Sequence, residues 1–414
     1  MKAKATLLVL CLLGFTSQAA AQRMTFDLST PQPVYNDQKG YGYDIVAPPA
    51  GESQPFFFSV KVPDGNYRVS VTLGSKKQDA VTTVRAEARR LMVENCATRK
   101  REQKTFTFVV NKRSPQIEGT NCVMLKEREI GTLNWDDRLT LEFNGEHPTV
   151  SRLTIEPDTL ATTIFLCGNS TVVDGAQEPW SSWGQMIPRW FGPEVAISNH
   201  AESGLTAGTF LTGKRLDKIL RMMRPGDYVF CEFGHNDQKE KFAGAGAWFN
   251  FQHNLKIFID QVRAKGGNIL FLTPTQRRFF DDSKTKILET HGEYPDAMRD
   301  VARREQVPVI ELHDMTRTLF ETLGYEDSKR TLVHYPAHTF PHQDKALADN
   351  THFNPFGAYE IAKMVVMGMK ELQLPILKFL RPEWKDYTPA QPDDFNAFRW
   401  YPAPMQDTTK PDGN

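Results

Sequence analysis

Hydrophobic and polar residues alternate with a period of two along the first part of the chain. The clearest example is segment 67–73, in which large apolar residues alternate with polar ones, and similar alternation recurs at 106–110 and 139–143. Successive side chains of a strand point to opposite faces, so this pattern is typical of antiparallel sheets with one buried face. We predict an antiparallel β-sandwich domain over residues 22–158.

From residue 159 onward, short apolar runs alternate with segments of helical periodicity. The predicted strands are Ile164–Leu166, Val195–Ser198, Tyr228–Phe233, Ile269–Thr273 and Val307–Leu312. The predicted helices are Leu216–Met223, Trp248–Ala264, Ala297–Arg304 and Phe356–Met369. Continuous apolar strands that alternate with helices favour a three-layer α/β/α domain with a parallel sheet, over residues 159–375. The proline-rich residues 376–414 are predicted to form an extended strap over the surface.

The beginning of the chain has the pattern of a secretory signal peptide. A basic start, Met1–Lys4, precedes the apolar run Leu7–Leu13 and a group of alanines that ends at Ala21. We predict that residues 1–21 are removed by cleavage near Ala21 and that the protein is exported to the periplasm or the medium. The apolar run is too short to span a bilayer, and we expect no membrane span.

The charge balance changes the set of expected partners. The chain has 50 Lys and Arg residues and 50 Asp and Glu residues. A balanced charge provides no basic field for nucleic acid and no acidic field for cations. We therefore expect no partner that binds through net charge, and no nucleic acid.

The first candidate for chemistry is a serine at the end of the first predicted strand of the α/β domain. The run Ile164–Leu166 leads into Cys167-Gly168-Asn169-Ser170, a turn that presents the Ser170 hydroxyl at the sheet edge. Gly-Asn-Ser is also an ordinary turn sequence, so this segment alone does not establish a nucleophile. An activated serine needs a base, a group that orients the base, and donors for the oxyanion.

Three later segments supply those groups. Asp349 and His352 lie just before the last predicted helix, where His352 can accept the Ser170 proton and Asp349 can orient the imidazole. Gly204 and Asn236 each follow another predicted strand, and a backbone N–H and a side-chain amide can donate to an oxyanion. Taken singly, each segment is also compatible with a turn or a helix cap. Ligands bind at the carboxyl ends of parallel strands, which is where Ser170, Gly204 and Asn236 fall.

The order Ser, Gly, Asn and His, each at a strand end, resembles the SGNH (GDSL-type) hydrolases over roughly residues 160–375. The resemblance implies Ser170 as nucleophile, His352 as base and Asp349 as orienting acid. It also implies an oxyanion hole formed by Gly204, Asn236 and the N–H of Ser170. The blocks most similar to the rhamnogalacturonan acetylesterases, which deacetylate the pectin backbone without a metal or an organic cofactor, are Gly168–Thr171, Trp183–Gln185, Phe233–Asp237 and Asp349–Phe353.

Two departures from the rhamnogalacturonan acetylesterase pattern affect the expected substrate. Asn169 stands where the family usually has Asp. The second block reads Ser203-Gly204-Leu205-Thr206, without the usual Arg, and Gly208 stands where another Arg is common. Two cations that would face an acidic sugar are therefore absent. Acetylated xylan, another acetylated glycan or a methyl ester on pectin remain open as substrates.

Several polar and aromatic residues near these blocks are predicted substrate contacts, although each is also compatible with a place in the core. They are Trp180, Trp183, His235, Gln276 and Arg277. The loop before Asp349 carries His334, His338 and His342 at every fourth position. Pro336 and Pro341 argue against a helix there, so we interpret it as a polar loop beside the cleft and expect no metal.

The cysteines and the β-sandwich leave two questions open. Four of the five cysteines follow the predicted signal peptide, and none is in a CxxC metal pattern. Cys96 and Cys122 either form a disulfide in an oxidising compartment or remain thiols. Segment 56–67 resembles the galactose-binding-like sandwiches, which implies either sugar binding or a structural role beside the cleft.

Together these features predict a secreted serine carboxylic-ester hydrolase that acts on an acetylated polysaccharide or oligosaccharide without a cofactor. The resemblance favours O-acetylated rhamnogalacturonan in plant cell walls as the substrate. The alternative from another class is a non-catalytic glycan-binding protein, which Asn169 and the missing arginines favour.

Overall fold

A computed structural model describes residues 22–49 and 54–411. The predicted signal peptide, residues 1–21, lies outside the described residues. None of the helices in these two ranges combines the length and the apolar character that crossing a bilayer requires.

The N-terminal region forms two antiparallel sheets packed face to face. Its strands are β1 (Met24–Asp27), β2 (Tyr41–Asp44), β3 (Phe56–Lys61), β4 (Gly65–Leu73), β5 (Ala80–Ala86), β6 (Arg90–Thr98), β7 (Lys104–Lys112), β8 (Gln116–Glu118), β9 (Asn121–Cys122), β10 (Arg138–Glu146) and β11 (Val150–Pro157). One sheet has the order β1-β11-β4-β7 and the other β2-β3-β10-β5-β6, while β8 and β9 form a separate hairpin. In β4 the alternate residues from Tyr67 to Leu73 are buried between the sheets. The predicted β-sandwich is confirmed.

The disulfide considered between Cys96 and Cys122 is not formed, and both residues are free thiols. Cys96 belongs to the core of the sandwich on β6, where burial raises the pKa of its thiol. Cys122 lies on the separate β8–β9 hairpin, and its Sγ donates to Gln116 Oε1 at 3.2 Å. The two cysteines therefore lie in different sheets, Cys96 in the sandwich and Cys122 in the separate hairpin.

The C-terminal region is an α/β domain around a parallel sheet. Its strands are β12 (Thr162–Cys167), β13 (Val195–Asn199), β14 (Tyr228–Glu232), β15 (Asn268–Leu272) and β16 (Val309–Ile310), in the order β13-β12-β14-β15-β16. Its helices are α1 (Trp183–Met186), α2 (Ala207–Thr212), α3 (Arg215–Met222), α4 (Gln252–Ala264), α5 (Tyr294–Glu305), α6 (Leu312–Asp327) and α7 (Pro355–Glu371). Residues of α1, α6 and α7 cover one face of the sheet, and residues of α2 to α5 cover the other. The predicted three-layer fold is confirmed.

Two elements differ from the sequence-based expectation. The segment with Asp349 and His352 is a strand, β18 (Leu347–Phe353), which pairs antiparallel with β17 (Leu332–Tyr335). The strand predicted at Val307–Leu312 is only two residues long, because α6 begins at Leu312. The hairpin fixes the backbone on which the candidate histidine is presented.

A buried arginine of the sandwich bonds to the active-site side of the α/β domain. Arg89, in the turn between β5 and β6, is almost fully buried. Its guanidinium donates to the carbonyl oxygens of Gly175 and Gln177 at 2.9 Å each, and to that of Trp180. It also lies 3.0 Å from Glu178 Oε1. The sandwich thus holds the loop 175–181, which carries Trp180.

The C-terminal strap contacts both domains. Trp400 stacks on Phe398 with an interplanar angle of 10°, and the guanidinium of Arg85 lies 4.0 Å from its ring centroid. Further along, the carbonyl oxygen of Asp407 accepts a hydrogen bond of 2.9 Å from Trp180 Nε1. The strap therefore ends beside the same loop that Arg89 holds.

Candidate active site

Three of the predicted site residues follow neighbouring strands of the parallel sheet. Ser170 comes after β12, Gly204 after β13 and Asn236 after β14, and β12 lies between the other two strands. After β12 the chain forms β13 on one side of it and then β14 on the other side. This change of direction makes the carboxyl end of β12 a topological switch point. Loops separate there and leave a crevice, so the sheet order itself places the serine between the two candidate oxyanion donors.

The turn that carries Ser170 is shaped by its neighbours. A Cβ on Gly168 would lie 2.5 Å from Val172 Cγ2 and 3.0 Å from the carbonyl oxygen of Glu232, so only glycine fits. Asn169 Oδ1 accepts from the backbone N–H of Thr171 at 3.2 Å and closes the turn. Ser170 is 8% exposed and lies at an otherwise buried edge.

Ser170, His352 and Asp349 form one hydrogen-bonded chain. Ser170 Oγ lies 2.9 Å from His352 Nε2, and His352 Nδ1 lies 2.8 Å from Asp349 Oδ2. The other carboxylate oxygen, Asp349 Oδ1, accepts the backbone N–H groups of Thr351 and His352 at 2.8 and 3.0 Å. A carboxylate can only accept, so Nδ1 carries the ring proton and a neutral ring presents the Nε2 lone pair to the serine.

The ionised state of Asp349 is strongly favoured. Burial alone raises the pKa of this carboxyl, but the hydrogen bond and charge of His352 and the two backbone N–H groups outweigh burial and lower the pKa to about 2. The side chain is 3% exposed, so solvent does not compete for these bonds. The arrangement can stabilise a positive charge on His352 when that ring accepts a proton.

The two candidate oxyanion donors lie in constrained loops. Gly204 has a φ of 76°, a conformation that other residues adopt only with strain. Asn236 Nδ2 donates to the carbonyl oxygen of Leu205 at 3.1 Å, which ties the amide to the Gly204 loop. Asp237 holds the same region because its two oxygens accept from the N–H groups of Ala207 and Gly234. One Asn236 amide hydrogen is left for a ligand.

The predicted substrate contacts divide into two groups. The Trp180 and His352 rings are in T-shaped contact with centroids 5.7 Å apart, and Arg277 donates to the carbonyl oxygen of His235 at 3.0 Å. Trp183 and Gln276 are fully buried, and both bond to protein partners. Trp183 Nε1 donates to Glu232 at 2.6 Å, and Gln276 Nε2 lies 2.8 Å from His313 Nε2. The three histidines of the loop before Asp349 form no metal-ligand group in the described chain.

A buried carboxyl beneath the serine turn was missed from the sequence. Glu232, the last residue of β14, accepts from Thr171 Oγ1 at 2.7 Å and from Trp183 Nε1 at 2.6 Å. Burial raises the pKa of Glu232 to about 7. Its position at the end of an otherwise apolar strand was the available signal, because a buried acid there needs partners. It positions the serine turn from below.

Two lysines beside the site were also missed. Lys239 Nζ donates to Asn236 Oδ1 at 3.2 Å, and Lys410 Nζ lies 3.7 Å from Asp349 Oδ2. Burial and repulsion from Arg277 and Lys410 lower the pKa of Lys239 to about 8. Lys239, Lys410 and Arg277 therefore share one region at the rim of the cleft. Nothing in the tail sequence distinguished Lys410 from other exposed lysines.

The fold and the family comparison define the class as a carboxylic-ester hydrolase. The model of the GDSL-like Lipase/Acylhydrolase family matches residues 166–358, a range that contains Ser170, Gly204, Asn236, Asp349 and His352. The chain belongs to this family.

Three relatives from Bacillus subtilis are similar to the chain. Rhamnogalacturonan acetylesterase RhgT is 41% identical over 215 residues, which are 51% of this chain and 91% of RhgT. The probable rhamnogalacturonan acetylesterase YesY is 30% identical over 229 residues, 54% of this chain and 100% of YesY. The uncharacterized esterase YxiM is 26% identical over 359 residues, 81% of this chain and 85% of YxiM. The crystal structure of YxiM covers 86% of this chain and 99% of its own, with 24% identity and a TM-score of 0.48.

Proposed function

We propose that the protein is an exported serine acetylesterase that removes O-acetyl groups from rhamnogalacturonan. The observation that carries the proposal is the hydrogen-bonded chain from Ser170 Oγ through His352 to Asp349, with links of 2.9 and 2.8 Å. These hydrogen-bonded side chains lie at the carboxyl edge of a parallel sheet, where ligands of such folds bind. Export is part of the same proposal, because residues 1–21 have the pattern of a secretory signal peptide.

The reaction proceeds by double displacement. His352 Nε2 accepts the Ser170 proton as Oγ attacks the acetyl carbonyl carbon, and Asp349 stabilises the resulting imidazolium. The tetrahedral intermediate collapses when His352 returns the proton to the sugar oxygen, which leaves as a free hydroxyl and gives an acetyl-enzyme. Water then attacks the acetyl carbon with His352 as base, and acetate leaves as Ser170 recovers its proton.

The oxyanion is stabilised by donors on both sides of the serine. Its partners in the proposal are the backbone N–H groups of Ser170 and Gly204 and the side-chain amide of Asn236. The bond from Asn236 to the Leu205 carbonyl favours this assignment, since it fixes the amide without using its second hydrogen. Loss of one such donor costs about 10²–10³-fold in kcat.

The cations at the rim of the cleft favour an acidic glycan. Lys239 is bonded to Asn236, and Lys410 lies beside Asp349. They provide the positive charge that the second sequence block lacks, and a uronate carboxylate next to the acetylated sugar would pair with it. The names of RhgT and YesY, both described as rhamnogalacturonan acetylesterases, support the same substrate.

The decisive experiment measures acetate release from acetylated rhamnogalacturonan and from acetylated xylan, with a chelator present. Wild type, Ser170→Ala and the control Ser29→Ala, an exposed serine of the sandwich, are compared. We expect release from the pectic substrate by wild type and control, and none above background by Ser170→Ala. Release only from xylan would refute the substrate, and equal release by Ser170→Ala would refute the mechanism. Sugar binding without any release would favour a glycan-binding protein.

A further inference from the structure

Beside the cleft, three side chains outside the hydrogen-bonded chain of Ser170 converge on one point. Glu289 and His291 lie between β15 and α5, and His313 lies in the first turn of α6. One ligand atom from each lies within 4.8 Å of the others. Glu289 Oε2 is 2.7 Å from His313 Nε2, and Glu289 Oε1 is 3.8 Å from His291 Nδ1. Ligand atoms about 2.1 Å from one metal ion are separated by roughly 3.0–3.4 Å, within the spread seen here.

The ring orientations direct lone pairs at the carboxylate. His313 Nδ1 lies 2.9 Å from the carbonyl oxygen of Pro274, which can only accept, so this nitrogen carries a proton. In the neutral ring, His313 Nε2 then carries the lone pair, and it lies 2.7 Å from Glu289 Oε2 and 2.8 Å from Gln276 Nε2. A backbone carbonyl that holds the far nitrogen in this way is typical of metal-bound histidines.

The second histidine, His291, has a ring nitrogen without a hydrogen-bond partner among the described residues. His291 is fully buried, and its Nδ1 has no hydrogen-bond partner among the described residues. Its other nitrogen, Nε2, lies 3.0 Å from His235 Nδ1. A buried polar atom without a partner is costly, and here it lies opposite an anionic carboxylate.

We propose that Glu289, His291 and His313 bind a divalent transition-metal ion of the Zn²⁺ type. Two imidazole nitrogens and one carboxylate oxygen are a donor set that Zn²⁺ and its neighbours in the first transition series prefer. Glu289 is partly exposed, which gives the ion an entry path and leaves room for water as a further ligand. A fourth polar group lies beside His313, because Gln276 Oε1 is also buried without a partner in the described chain.

The ion would fasten the long segment between β15 and α5 to the start of α6. This segment carries Arg277, whose guanidinium donates to the carbonyl oxygens of His235 at 3.0 Å and Thr290 at 3.1 Å. His291 in turn contacts the His235 ring. The metal therefore acts on position and stability of this side of the cleft, and takes no part in the transfer of the acetyl group.

The same side chains without a metal would form an ion pair between a protonated His313 and Glu289. The two states differ in a measurable way. An ion pair satisfies His313 but leaves His291 Nδ1 without a partner, and it gives the protein no affinity for Zn²⁺ at this place.

The test uses the full chain, stripped with a chelator and dialysed. Calorimetric titration with ZnCl₂ is run on wild type, on Glu289→Gln, and on His253→Ala, which removes an exposed histidine of α4. We expect one Zn²⁺ per chain in wild type and in His253→Ala, and at least about 10-fold weaker binding in Glu289→Gln. Glutamine keeps an oxygen for the backbone N–H of His291, which lies 2.6 Å from Glu289 Oε1, and the melting curve of the variant in the chelator checks that it is folded. Absence of a tight site in wild type, or equal affinity in Glu289→Gln, would overturn the proposal.

A second measurement does not depend on any variant. Co²⁺ added to stripped wild type should give visible absorption bands of a nitrogen- and oxygen-coordinated ion, which one equivalent of Zn²⁺ abolishes. A spectrum identical to that of Co²⁺ in buffer would overturn the proposal. Both measurements report on the metal alone, so their outcome is independent of whether Ser170 performs the esterase reaction.

Discussion

Replacement of Arg89 by methionine tests whether the β-sandwich builds part of the active site. Arg89 is 1% exposed and lies 3.0 Å from the nearly buried Glu178 carboxylate. Its other bonds go to the loop 175–181, including the carbonyl of Trp180. Removal of one partner from a buried ion pair costs about 3–5 kcal/mol, because the remaining charge stays buried. At about 2–4 °C per kcal/mol, the Tm should fall by roughly 6–20 °C.

The same substitution should lower the esterase rate of the folded protein. The Trp180 and His352 rings are in T-shaped contact, and a displacement of about 1 Å at a reacting group costs on the order of 10²-fold. The assay is hydrolysis of p-nitrophenyl acetate at a temperature well below the lowered Tm. The control is Arg99→Met, an exposed arginine of the same domain. If Arg89→Met melts and turns over like the control, the sandwich does not position the Trp180 loop.

Further predictions concern three side chains, Asp349, Glu232 and Lys410. Asp349→Asn should lower kcat by about 10⁴-fold by the triad precedent, measured with the same ester, since an amide cannot stabilise the imidazolium. Because the pKa of Asp349 is lowered to about 2, its contribution to wild-type stability should be present above about pH 4 and be lost as the pH falls towards 2, in acid unfolding compared with Asp349→Asn. Burial raises the pKa of Glu232 to about 7, so native protein binds more protons than unfolded protein between about pH 4.5 and 7, and stability falls as the pH rises through that window. Glu232→Gln should remove this part of the pH dependence of the free energy of unfolding. Lys410→Met should lower kcat/KM on acetylated rhamnogalacturonan and leave p-nitrophenyl acetate hydrolysis unchanged; equal losses on both substrates would contradict a role in binding the acidic glycan.

The strands of both domains were predictable because the faces that are buried determine which positions of a strand are apolar. Segment 67–73 alternates since one face of β4 is buried, and Ile164–Leu166 is continuously apolar since both faces of β12 are covered. Helix α6 was missed although Leu312, Met315, Leu319 and Phe320 have helical spacing and are buried. The preceding apolar run obscured its beginning, and periodicity does not locate the boundary between a strand and a helix that follow without a turn.

The candidate site shows where sequence reasoning ends. Ser170, Gly204 and Asn236 were predictable because each follows a strand, and the sheet order then brings strand ends together whatever the loops do. Lys239 and Lys410 were not, because their place depends on loop and strap contacts that carry no period. The second block lacks the usual arginines, which predicted that positive charge would be missing from the site. The structure places positive charge beside Asn236 and Asp349 from two other parts of the chain. The position of the Lys410 charge is thus set by the path of the tail across both domains, and the Lys410→Met comparison on charged and neutral esters separates a role in substrate binding from a purely structural one.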